Sequence, residues 1–123
     1  MIFFVNLLKN KYLAIAYTLL IFVLCTMPSK ELPTNVNDKT AHFVAFAGFS
    51  FLWLWVKNNY RLIILLGIIY GILIEFWQGI LPESFHRGFD WYDALADGIG
   101  VLIGCGLFFI SYFIVKKSNV FSR

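Results

Sequence analysis

The chain has 123 residues, of which 60% are hydrophobic, 20% aromatic and only 14% charged, with a formal net charge of +3. Its mean hydropathy is +0.77 and its sequence pI near 9.0, so a single water-soluble domain is excluded: a fold this small has too little interior for that much apolar surface, and lipid must take the remainder. The basic residues sit between apolar runs rather than in a patch interleaved with aromatics, which excludes nucleic acid as a partner.

Four apolar segments follow one another. The first covers about 12–27 and ends at Pro28, with 2–8 ahead of it as an interfacial extension. It follows Lys9 and Lys11 as a signal peptide would, but no small-residue cleavage site comes after it, so it is read as a retained helix. The second covers about 38–56, with Asp38 placed to cap it; the third covers about 62–81 and stops at Pro82; the fourth covers about 90–115. Each is long enough to cross or nearly cross a bilayer as a helix. The expected fold is therefore all-α, a single four-transmembrane-helix bundle.

Charge sets the expected orientation. Lys9, Lys11, Lys57, Arg61, Lys116, Lys117 and Arg123 fall at one set of segment ends, and only Lys30, Lys39 and Arg87 fall at the other. The positive-inside rule places the first set, and with it both termini, in the cytoplasm. Trp53, Trp55, Trp77 and Trp91 fall near segment ends and read as interfacial belts. Cys25 and Cys105 lie within apolar runs, without metal-binding or redox spacing, and are read as buried thiols.

All seven acidic residues (Glu31, Asp38, Glu75, Glu83, Asp90, Asp93 and Asp97) gather at the second, outward set of ends. Ionisable groups held near hydrocarbon cost several kcal/mol, on the order of 3 at the centre of a span, and mark a site or a pairing network. Helical spacing puts Gly67, Gly71, Glu75 and Gln78 on one stripe of the third segment, and Asp90, Asp93, Asp97, Gly100 and Gly104 on one stripe of the fourth. The two small-xxx-small pairs predict that these helices touch through glycine and open toward the carboxylates. His42 and Asp38, four apart, share a face of the second segment, and Arg87 precedes the fourth.

The ligand-binding set expected from this pattern is Asp38, His42, Glu75, Gln78, Arg87, Asp90, Asp93 and Asp97. His42 and Glu75 are the acid/base candidates. His42, Glu75, Asp93 and Asp97 are the set from which a metal site would be built, although no spacing demands one and no cofactor is expected. Structural alternatives stand beside each: Glu75 and Gln78 as interhelical hydrogen-bonding groups, Arg87 with Asp90 and Asp93 as a salt bridge, and His42 as a satisfied helix-end residue. His86 reads as a solvated loop residue, and neither Ser50, Ser84 nor Ser111 has the neighbours of a nucleophile.

The ordered motifs Asp38-Lys39-x-x-His42, Glu75-x-x-Gln78, Arg87-x-x-Asp90-x-x-Asp93 and Ala96-Asp97-x-x-Gly100-x-x-x-Gly104 resemble the VanZ-like family of small integral membrane proteins. Asp97 stands where that family commonly has Asn. The resemblance implies a multi-pass protein of the bacterial plasma membrane tied to the cell envelope and to tolerance of the glycopeptide teicoplanin. The implied partners are membrane lipid and an envelope lipid precursor or glycopeptide. An enzyme acting on an envelope lipid or glycan precursor, and a purely structural accessory subunit, remain as alternatives, with homo-oligomerisation left open.

Overall fold

The computed structural model describes residues 2–28 and 38–118, Asp38 through its backbone alone. The expectations for the Asp38 side chain, Lys30, Glu31 and Arg123 lie outside the described residues. Within them the chain forms α1 (Ile2–Leu8), α2 (Lys11–Thr26), α3 (Asp38–Val56), α4 (Tyr60–Ile80), a 3-10 turn at Glu83–Phe85 and α5 (Trp91–Lys117). The protein is an all-helical bundle. α3, α4 and α5 are each long and apolar enough to cross a membrane, and α1 with α2 makes a fourth span if the pair, bent by 55°, counts as one.

The helix ends follow local chemistry. Asn10 caps α2 by accepting from the Tyr12 N–H, Asn59 caps α4 by accepting from Leu62, and Asp90 caps α5 by accepting from Tyr92. These caps place the starts of α4 and α5 within two residues of where the apolar pattern put them. His86 closes the 3-10 turn in the left-handed region at φ 53° and is exposed, as a solvated loop residue should be.

Packing between the helices has to come from shape, because lipid solvates apolar side chains as well as a neighbouring helix does. Glycine supplies the shape, but not in the pairing expected. Gly100 sits against the backbone of Phe43, and Gly104 against Ala47 O and Ser50 Oγ, so this pair lets α5 approach α3 rather than α4. Ser50 clasps the seam by donating to Val101 O at 2.8 Å. On α4, Gly67 receives Val101 and Gly71 receives Asp97, so these glycines admit side chains from α5 instead of meeting its glycines. A stripe shows which face of a helix is small; it does not say which neighbour fills it.

The core runs through Phe46, Phe49, Leu54, Ile63, Ile74, Val101 and Phe108, while Leu65, Leu73, Phe109, Ile110 and Phe113 face outward with more than half their surface exposed, as lipid contacts do. The tryptophans differ in what they meet. Trp55 is buried, edge-on to Phe108, and Trp53 and Trp77 donate to Thr18 and Thr26 of α2. Trp91 is exposed near the start of α5. Cys105 is buried and Cys25 half-buried.

Candidate functional site at the carboxylate end

Antiparallel succession brings the start of α3, the end of α4 and the start of α5 to the same end of the bundle. Gly71 makes room for Asp97, and Gly100 lets that stretch of α5 draw against α3. The result is a cluster in which His42, Glu75, Asp93 and Asp97 are all buried, Glu75 and Asp97 completely.

His42 Nδ1 lies 2.6 Å from Asp97 Oδ1. With the carboxylate accepting the Nδ1 proton, the imidazole is fixed in orientation and its Nε2 is turned toward Asp93 Oδ2, 3.7 Å away. Asp93 is held through its other oxygen by the Lys39 ammonium, which also bonds Asp90 Oδ2 at 3.0 Å. Glu75 Oε1 accepts the backbone N–H of Asp90 at 3.2 Å. Its second oxygen, Oε2, is buried and has no hydrogen-bond partner among the described residues.

Charge balance at this end is uneven. Among the described residues, four carboxyl groups (Glu75, Asp90, Asp93 and Asp97) gather around the Lys39 ammonium and the His42 imidazole. They cannot all be ionised in a dry site without further positive charge or bound protons. At Asp90, on the rim, the Lys39 bond first, then the Tyr92 N–H, holds the carboxyl below the ordinary carboxylate range.

The expected site residues therefore divide. Glu75, Asp90, Asp93, Asp97 and His42 converge. Gln78 is buried but turns away, donating to Cys25 O at 3.0 Å as a tie between α4 and α2. Arg87 does not pair with Asp90 or Asp93; its Nε and Nη2 donate to the carbonyls of Met27 and Leu24 at 2.9 and 3.1 Å. It thereby caps the carbonyl end of α2, where a cation complements the helix dipole. Ser50, already spent on the α3–α5 seam, offers no nucleophile. Lys39 was missing from the expected site, and its place in the Asp38-Lys39-x-x-His42 motif, three before His42, was the signal that could have supplied it.

With this geometry in view, the comparisons with known proteins are direct. Residues 31–114, which carry every member of the cluster, match the VanZ/LLP1 family. The chain belongs to that family, and is a VanZ-like membrane protein. It is also similar to an uncharacterized protein of the fission yeast Schizosaccharomyces pombe, at 32% identity over 106 residues, covering 81% of this chain. The chain spans 61% of that relative's length. No solved structure matches it.

Proposed function

We propose that the protein handles the polar head group of a membrane-anchored envelope molecule at the carboxylate end of the bundle, with that end turned outward. The observation that carries this reading is Glu75. A side chain kept only to join helices meets its partners within the bundle, whereas Glu75 keeps one oxygen dry and without a donor among the described residues. Such a group destabilises the fold by roughly 1–3 kcal/mol, which favours a role toward something that arrives from outside.

Two features support a lipid-linked partner. Lys39 and Asp90, each about 40% exposed, give the cluster a charged rim where a head group can seat. An apolar groove of about 610 Å³, lined by Phe43, Ala47 and Phe51 of α3 and by Ile103 and Leu107 of α5, opens beside the same helices and suits an acyl chain. The family resemblance extends the reading to teicoplanin tolerance, through a wall precursor or the lipophilic drug as the molecule engaged.

A catalytic version has its own observation behind it. The Asp97–His42 pair is the arrangement that orients an imidazole for acid/base work or for metal ligation. Turnover predicts a released head-group product; binding alone does not.

Susceptibility of a Gram-positive host to teicoplanin and vancomycin, with wild type, Glu75→Gln and His42→Ala at matched membrane levels, tests the reading. Protection by the wild type that is lost in both variants is the expected result. Full protection by both variants would overturn the role of the cluster, and absence of protection by the wild type would remove the glycopeptide link.

A further inference from the structure

His42, Glu75 and Asp93 share an arrangement that acid/base work does not require. Each is tied down through one heteroatom by its own partner: His42 Nδ1 by Asp97, Asp93 Oδ1 by Lys39, and Glu75 Oε1 by the Asp90 N–H. One ligand atom from each of the three lies within 4.8 Å of the others. His42 Nε2 and Asp93 Oδ2 are already 3.7 Å apart, close to the roughly 3.4 Å edge of a tetrahedron with bonds of about 2.1 Å.

We infer that His42, Glu75 and Asp93 bind a divalent transition-metal cation of the zinc or manganese class, with Asp97, Lys39 and the Asp90 backbone as the groups that position them. The inference deepens the head-group reading and rests on it for purpose, though not for geometry. One imidazole with two carboxylates is a borderline-to-hard donor set, which suits Zn²⁺ or Mn²⁺ and disfavours the soft ions that thiolates select. The partners on the far atoms are those that orient ligands in metalloproteins, above all a carboxylate on the second nitrogen of the histidine.

One observation independent of the acidic clustering points the same way. Glu75 Oε2, in a completely buried side chain, has no donor among the described residues, and a cation supplies what the lone pair lacks. Among the described residues the carboxyls also outnumber Lys39 and His42, a balance that a dication meets and a neutral ligand does not. Lys39 approaches Asp93 through Oδ1, while Oδ2 is the oxygen turned toward His42. Three protein ligands leave at least one coordination position for an oxygen of the head group or for water.

The test uses the full chain purified in detergent, stripped with a chelator, exchanged into metal-free buffer and titrated with Zn²⁺ and with Mn²⁺. Metal content is read by elemental analysis, and affinity by calorimetry. One equivalent of one of these ions per chain is expected. Binding should be at least about tenfold weaker in Glu75→Gln and in Asp93→Asn, and about 10–100-fold weaker in Asp97→Ala, which leaves all three ligands in place. Because a variant can fail to insert, the wild type is also melted with metal and with chelator, and its Co²⁺ form is examined for visible absorption. A chelator-insensitive melting temperature with no Co²⁺ band would overturn the site, as would equal binding by wild type and by the triple variant His42→Gln, Glu75→Gln, Asp93→Asn. The two readings fail separately. Drug tolerance abolished by Glu75→Gln in a protein that binds no metal sinks only the metal, and stoichiometric metal with tolerance unchanged in that variant sinks only the proposed function.

Discussion

The two ends of this bundle are built from the same helices and solve the same packing problem with opposite chemistry. At one end Trp55, Tyr60, Phe108 and Tyr112 fill the space between α3, α4 and α5, with ring centroids 5.1–6.0 Å apart in mostly edge-on or tilted contacts. At the other, His42, Glu75, Asp93 and Asp97 occupy the same kind of buried volume. Aromatic packing is tolerant of small shifts and draws its strength from area and ring geometry. The carboxylate cluster is directional and carries like charges, so it contributes little to stability and is held in place by the rest of the fold. Stability and function are therefore expected to separate along the length of the same three helices.

The sharpest way to break that contrast is at the aromatic end. Phe108→Ala removes a completely buried ring that touches Trp55, Tyr60 and Tyr112. It should destabilise the protein by about 3–5 kcal/mol in a denaturation series in detergent, with any residual folded fraction still able to work. Gly100→Val should come next. Its first added carbon would lie 2.6 Å from Phe43 O, and because that neighbour is backbone, forcing α5 off α3 should cost about 1–3 kcal/mol and disturb the His42–Asp97 pair as well.

Glu75→Gln should show the reverse pattern. The amide is close in size, cannot carry a charge in the buried cluster and can still accept from the Asp90 N–H, so in metal-free protein the melting temperature should hold or rise while the proposed teicoplanin protection falls. A large loss of stability in this variant would mean that the two ends are not different in kind. The smallest effect belongs to the ties that join α2 to the bundle. Tyr70→Phe deletes one bond, from the Tyr70 hydroxyl to Thr18 O at 2.6 Å, and should cost about 0.6 kcal/mol, the ordinary value of an interhelical hydrogen bond in a membrane protein.

What was legible in the sequence follows the same division. Apolar runs closed by Pro28 and Pro82, and stripes of glycine and carboxylate, are properties of single helices, and the helices α2 to α5 fall within two residues of the expected segments. The convergence of Glu75, Asp93 and Asp97 followed from those stripes. Partner choice was not legible, since it depends on which helix lies beside which. Arg87 and Asp90 are neighbours in the chain, yet the guanidinium finds unpaired carbonyls at the end of α2, while the distant Lys39 takes the carboxylates. Likewise His42 shares a face with Asp38 by spacing, but it is Asp97, 55 residues on, that lies 2.6 Å from its Nδ1.

The shortness of α2 carries a mechanical consequence. Its 16 residues rise about 24 Å, against about 30 Å of hydrocarbon in a typical bilayer. Lys9 and Lys11 flank the 55° bend between α1 and α2, so α1 does not extend α2 along its own axis. α5, with 27 residues, has length to spare. If α2 crosses on its own, lipid beside it would be compressed while lipid beside α5 would not, giving an elastic thickness gradient around the bundle. The energy of such a mismatch depends on bilayer thickness by a fraction of a kcal/mol per ångström, on the order of 0.5, and would favour thinner membrane.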